Sequence, residues 1–296
     1  MDHNNTEATA VTRTGRPFRF TKPRSVLAAL AILLLAPFAY VQLFEHPSLT
    51  RDWSPDQRLM PLAHVTGDRV VIENFRNVSY RSSDDYDVRY ETRTYDLRKL
   101  DSLWFAVERF GNTPGIAHTL LSFGFGDDYV VISVEVRRER GETYSAWKGL
   151  LRQYELMYVI ADERDALGLR TNIRRDPVYL YPVNATPEVV RRLFTDMIVR
   201  ANRLAVEPEF YNTLTNNCTS NIVRHVNDIA PRIPLTYKSL LPAYSDQLAH
   251  ELGLIPSDQP FDAVQAAHRV DTVAREIGVD LQFSRTLRLK AHVPPL

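Results

Sequence analysis

Two apolar runs hinged at Gly126-Asp127-Asp128 constrain this chain more than any other stretch. Before the hinge, residues 116–125 alternate around Ala117, Leu121, Phe123 and Phe125. After it, residues 129–139 return through Val130, Val131, Ile132, Val134 and Val136. β-Branched and aromatic residues on both sides of a tight acidic turn read as a β-hairpin, which commits the chain to an antiparallel sheet. Two polar residues interrupt the pattern. With the turn centred near residue 127, His118 lies nine residues before it and Glu135 eight after. Strand pairing therefore brings them towards neighbouring positions. A strand histidine is ordinarily satisfied by its surroundings, and a strand glutamate ordinarily faces water. Glu135, however, sits in an apolar run suited to burial, where a carboxylate needs a partner.

The second informative stretch is 216–225, which holds Cys218, the only cysteine of 296 residues. Asn216 or Asn217 can cap a helix there, and Ile222, Val223 and Val226 follow at helical spacing on one apolar face. A thiol at a helix start feels the positive end of the macrodipole, which favours the nucleophilic thiolate. Single cysteines are more often small buried hydrophobes. One cysteine also rules out an internal disulfide and any multi-cysteine metal site. His225 lies seven residues further on, about 10 Å along a helix, too far for proton transfer to the thiol.

The remaining elements complete an α+β pattern. Strands are predicted at 69–80, 88–97, 101–110 and 178–183, and a short helix running into a strand at 144–161. Residues 162–170 read as a helical turn or loop. Thr186-Pro187 caps an amphipathic helix through Leu204. Residues 230–260 read as proline-rich loop with short helix, then a helix near 262–277 and an irregular C-terminus. No repeat, glycine-rich phosphate loop or metal-ligand cluster is present, and no cofactor is expected. Formal charge is zero, with 36 basic and 36 acidic residues, so no global field argues for nucleic acid.

The N-terminal part has another character. Residues 1–25 form a basic polar tail, followed by an uncharged run at 26–44. Nineteen residues at helical rise span about 28 Å, close to the hydrocarbon thickness of a bilayer. The basic flank predicts a single-pass inner-membrane anchor with a cytoplasmic N-terminus and a periplasmic C-terminal part. A cleaved signal peptide is the rival reading, but the run is long and no Ala-x-Ala site follows it. The domain plan is then a tail at 1–25, an anchor at 26–44, a connector at 45–66, a Cys/His domain at 67–250 and a helical extension at 251–296.

Acyl transfer through a thiol needs a nucleophile, a base, a group that orients the base, and donors for the oxyanion. The segments 117–125, 132–138, 154–159 and 209–219, with histidine before cysteine in the chain, resemble the Lnb N-terminal periplasmic domain family. The resemblance runs from about Trp53 to about His225. It implies a circularly permuted papain-like domain, an antiparallel sheet with the cysteine helix and the 187–204 helix packed on it. The family's named member moves an acyl chain between positions on bacterial lipoproteins. Carried onto this sequence, the match makes Cys218 the nucleophile, His118 the base and Glu135 the third polar residue. That member has several membrane spans after the domain, whereas the span read here precedes it.

Tyr211 and Asn217 are candidates for polar support of an acyl carbonyl, or equally for satisfying loop backbone. Arg137 and Arg138 alternate faces, so one of them, taken as Arg137, is placed to hold an anionic group unless both lie on a solvated edge. Three functions follow: an envelope acyltransferase or thiol hydrolase acting on lipid or lipoprotein, a hydrolase of peptidoglycan peptides, and a non-catalytic binding module on the same fold.

Overall fold

A computed structural model describes residues 23–111 and 115–291 of the chain. The chain divides into two units, one ending at Phe44 and the other running from Glu45 onward. In the first, Pro23–Phe44 forms one helix, α1, with Leu27, Ile32, Leu33, Leu35 and Leu43 exposed. Among the described residues, no helix is long and apolar enough to cross a membrane. The anchor expected at 26–44 is therefore not established, and most of the basic tail lies outside the described residues.

The second unit is a mixed α/β structure built on a mostly antiparallel sheet. Its strands are β1 (Leu62–Thr66), β2 (Arg69–Arg76), the short pair β3 (Ser79–Tyr80) and β4 (Tyr86–Asp87), β5 (Tyr90–Asp96), β6 (Ser102–Arg109), β7 (Ala117–Phe125) and β8 (Asp128–Arg137). The helix α2 (Ala146–Leu150), β9 (Glu155–Asp162), α3 (Glu163–Gly168), a π-helical turn (Leu169–Arg174) and β10 (Val178–Pro182) follow. The main sheet runs β1-β2-β9-β8-β7-β6-β10, with β5 also on β2. Among the described residues, only the Arg76–Ala161 bridge between β2 and β9 is parallel.

Two of the sequence boundaries shift. Regular structure begins before Gly67, inside the expected connector, because Gly67 takes a positive φ of 59° and turns β1 back onto β2. Asn74 at φ 55° bulges β2 and shifts its register between Ile72 and Phe75, and the strand expected at 69–80 breaks in two after Arg76, where Val78 N–H donates to the Asp165 carboxylate at 2.8 Å.

The helices α4 (Pro187–Leu204) and α5 (Cys218–Ile229) pack on one face of the sheet. Phe194, Met197 and Ile198 of α4 meet Phe105, Phe123, Ile132 and Tyr158 there. Beyond α5 come α6 (Tyr237–Leu240), α7 (Ser245–Glu251), α8 (Phe261–Ala267), α9 (Asp271–Ile277) and α10 (Phe283–Lys290). On the opposite face, Val270, Ala274, Phe283 and Leu287 join Leu167 and the strand residues Trp104, Leu120, Val131 and Met157 in a second core.

The C-terminal segment is thus part of the sheet-centred unit, and α10 lies where an irregular stretch was expected, with residues 292–296 outside the described residues. The helix expected at 262–277 is interrupted for a physical reason. Residues 268–270 bond the open edge of β10, Leu180 N–H to His268 O at 3.0 Å and Val270 N–H to Val178 O at 2.9 Å. A covered edge cannot pair with another chain.

Candidate active site

Cys218 is the first residue of α5, and Asn217 is its N-cap. The Asn217 side chain accepts from Ser220 N–H, and the Ser220 hydroxyl accepts from Asn217 N–H, both at 2.8 Å. This reciprocal box fixes the angle at which the cysteine enters the helix.

The hairpin supplies the partners through an interruption in its own pairing. β7 and β8 are laddered from Phe125–Asp128 to Leu120–Ser133 and no further. Beyond that point β7 stays paired to β6 through Ala117, and β8 stays paired to β9 through Arg137. The two strands therefore part at the end that carries His118 and Glu135. The same register continued by two residues would set those residues opposite each other. Alternation along β7 sends Thr119 towards α5, where its hydroxyl lies 3.1 Å from that of Thr219. Thr119 thereby neighbours the Cys218 sulfur and helps hold the thiol down, and the Thr219 hydroxyl lies 3.9 Å from that sulfur.

Behind the thiol stands a short relay. The Ser133 hydroxyl donates to Glu135 Oε1 at 2.8 Å and lies 2.7 Å from His118 Nε2. A hydroxyl that gives its proton to a carboxylate must accept from the imidazole, so Nε2 carries the hydrogen. Nδ1 is then the nitrogen left to take a proton from Cys218. Glu135 Oε1 is also 3.5 Å from Nε2 directly.

The electrostatics follow from this arrangement. Burial by itself raises the Cys218 thiol, but the charge and hydrogen bond of His118, joined by Thr119, overcome it and bring the group down to about 7. Burial disfavours the His118 imidazolium, yet Glu135 and Cys218 raise it to about 9. Burial likewise opposes ionisation of Glu135, and His118 and Arg170 together hold it well below the usual carboxylate range. Near neutral pH the site can therefore hold a thiolate beside an imidazolium, the form suited to attack on a carbonyl.

Sequence reasoning did not single out Ser133, Thr119, Glu108 or Arg170. Ser133 had a local signal, since it lies two residues before Glu135 and shares its strand face. Arg170 had none, because its partners are distant in sequence. Its Nη2 reaches Glu135 Oε1 and its Nε reaches Glu108 Oε2, both at 2.8 Å. Arg174 meets the other Glu108 oxygen at 3.2 Å. The wider π-helical turn sets residues 170 and 174 on one side, and such turns recur at functional sites.

The other candidates separate. Tyr211 is buried and lines the Cys218 cleft, where burial and then the neighbouring Cys218 charge push its phenol well up. Asn217 is not free to support a carbonyl, because its side chain caps α5 and donates to Thr213 O at 2.7 Å. Arg137 points away from the cleft. Its guanidinium donates to Gln57 O and Arg58 O at 3.0 and 2.6 Å and lies 4.2 Å from the Trp53 ring centre. Its neighbour Arg138 lines the cleft instead and contacts Asp56 at 3.5 Å. His225 is held at a distance from the thiol between Tyr158 and Asp196, at 2.6 and 2.5 Å.

The cleft measures about 430 Å³ and mixes aromatic and charged walls, Tyr80, Tyr86, Phe110 and Tyr144 with Asp56, Arg138 and Asp176. A second cavity of about 400 Å³ is lined almost wholly by apolar groups, including Leu121, Leu193, Ile222, Val226 and Leu248. Thr219, the residue after the cysteine, is part of its wall. Among the described residues no cluster of histidine, cysteine or carboxylates could hold a metal ion.

The family model of the Lnb N-terminal periplasmic domain matches residues 86–249, more than half of the 296 residues. The matched span contains His118, Ser133, Glu135, Arg170 and Cys218. No curated protein and no solved structure matches the chain.

Proposed function

The chain belongs to the Lnb N-terminal periplasmic domain family, and on that premise we propose that it is a cell-envelope cysteine acyltransferase or thiol hydrolase of permuted papain-like fold. The observation that carries this reading is the His118–Ser133–Glu135 relay set where the His118 charge acts on the Cys218 thiol. In the proposed reaction the Cys218 thiolate adds to an acyl carbonyl, and His118 protonates the departing alkoxide or amine. The thioester that remains is attacked by water or by an acceptor hydroxyl or amine, whose proton returns to His118 as the thiolate leaves. The helix start at Cys218 places positive dipole charge where the oxyanion develops.

A lipid or lipoprotein donor is favoured by the apolar cavity that has Thr219 in its wall. A peptidoglycan peptide is the second reading, favoured by the aromatic and charged walls of the cleft around the cysteine. The uncharged stretch 26–44 would keep the domain at the inner membrane, with the N-terminus cytoplasmic. Its support is the absence of charge and the basic flank, and recovery of the full chain from carbonate-washed membranes tests it.

The reaction is tested with an acyl-donating, cysteine-directed probe on wild type, Cys218→Ser and His118→Ala. Rapid labelling of wild type near neutral pH, abolished by the first change and strongly slowed by the second, is expected. Labelling at an ordinary thiol's rate, indifferent to His118, would leave only a binding module on this fold. Lipid and peptide donors tried on the wild type then decide between the substrate classes.

A further inference from the structure

We propose that Arg170 is a positioning residue of this site: its guanidinium forks between Glu108 and Glu135 and so aims the Glu135 carboxylate at the Ser133–His118 pair. The inference rests on the proposed thiol chemistry and adds to it a residue outside the Cys–His–Glu set.

Arg170 is about 2% exposed, and three of its nitrogens are engaged. Nε binds Glu108 at 2.8 Å, Nη2 binds Glu135 at 2.8 Å, and Nη1 binds the Ala166 carbonyl at 2.6 Å. The last bond ties the fork to α3, so its direction is set by backbone. Glu108 is the β6 residue paired with His118, and it is about 1% exposed. Two carboxylates therefore flank the imidazole from neighbouring strands, with one buried cation joining them.

Without that cation, Glu108 keeps Arg174 at 3.2 Å while Glu135 loses its guanidinium contact beside a second buried carboxylate, so Glu135 is the one to take up a proton. A protonated Glu135 no longer holds the imidazolium, and the thiol drifts back towards its ordinary state. Lysine cannot replace the fork, because one ammonium on a flexible stem does not present two fixed donors in a plane. The arrangement is more than a bond that stabilises the fold, since it predicts a specific rescue. Removing the Glu108 charge together with the arginine leaves Glu135 with no like charge to compete against.

The test follows alkylation of Cys218 by iodoacetamide from pH 5 to 10, on the detergent-solubilised full chain, with thermal melting as the check of folding. Wild type, R170M, R170K and the double variant R170M/E108Q are compared. Wild type should titrate near pH 7. In R170M the midpoint should rise by about one unit and the rate at pH 7 fall about tenfold. R170K should move part of the way, and R170M/E108Q should return towards wild type. A folded R170M with the wild-type profile overturns the proposal, as does a double variant shifted as far as R170M. Should R170M not fold, R170K decides, and an unshifted midpoint there overturns the proposal. If wild-type Cys218 itself titrates like a free thiol and ignores His118→Ala, the thiol chemistry fails and the role of Arg170 falls with it. A shifted wild type beside an unshifted R170M removes Arg170 alone.

Discussion

His118 Nε2 and Glu135 Oε1 stand 3.5 Å apart, and the Ser133 hydroxyl bridges them with contacts of 2.7 and 2.8 Å. The acid that orients the imidazole acts mainly through a hydroxyl. This makes Ser133 responsible for the tautomer, since its own proton is committed to the carboxylate. Ser133→Ala removes one hydrogen bond and leaves the longer direct contact. The rate of Cys218 labelling at pH 7 should fall by roughly three- to tenfold, the effect of about 1 kcal/mol. A rate equal to wild type would mean that the direct contact suffices.

The shifts of the thiol and imidazole define a window in pH. The Cys218 group, lowered to about 7, gains its charge as pH rises through that value. The His118 imidazolium, raised to about 9, is lost as pH rises through that higher value. The charged pair is thus present between about pH 7 and 9, and turnover that needs both forms should be bell-shaped with limbs near those values. Because the groups are coupled, the limbs belong to the pair. His118→Ala should abolish the lower limb and move alkylation towards the ordinary thiol range near 8.5. Stopped-flow alkylation reads the lower limb and its loss in His118→Ala, and turnover of the acyl probe across the same range reads both limbs.

Asn217 is assigned to the helix cap, and its substitution should report as such. Asn217→Ala should lower the unfolding free energy by about 1 kcal/mol, within a range of roughly 0.5–2. Urea denaturation followed by circular dichroism measures this. The pH midpoint of Cys218 labelling should move far less than in His118→Ala. A large shift in that midpoint with unchanged stability would return Asn217 to the chemistry.

A buried ion pair holds α10 to the start of α3. Arg288 donates to both Glu163 oxygens at 2.7 and 2.8 Å and lies over the Tyr129 ring at 3.5 Å. Glu163 also accepts from Ser122 at 2.6 Å. Arg288→Ala leaves the carboxylate buried and uncompensated, at a cost of about 3–5 kcal/mol. Limited proteolysis should then cut first near α9 and α10, and the melting temperature should drop. A variant as resistant as wild type would show that the apolar contacts of Phe283 and Leu287 are sufficient.

The parts of the site that local chemistry controls were legible in the sequence. The hairpin was written in β-branched residues about an acidic turn, and counting from that turn brought His118 and Glu135 together. Cys218 at a helix start followed from the asparagines before it and the apolar spacing after it. The choice between Arg137 and Arg138 was not legible, because which one enters the cleft depends on Trp53 and the 57–58 backbone, which claim Arg137. Arg170 was hidden for a similar reason: 62 residues separate it from Glu108, and no pattern within 162–170 records a partner on another strand. Asn217 misled because an amide beside a nucleophile suits an oxyanion hole and a helix cap equally well. Only the placement of Ser220 and Thr213 separates the two.

The parting of β7 from β8 determines when in the life of the chain its thiol becomes reactive. Cys218 is carried on one side of the sheet, while Arg170, Glu108 and Glu135 are tied together on the other, and they communicate only through the opening at His118. No single hairpin or helix formed early can assemble that set. In the unfolded chain Cys218 is an ordinary thiol, mostly protonated at neutral pH. The His118 charge that lowers its thiol is in place only once the hairpin and α5 have docked, and in the folded chain Cys218 is about 3% exposed. In an oxidising compartment such as the periplasm, activation and shielding therefore arrive together, and the chain passes through folding with its reactivity latent.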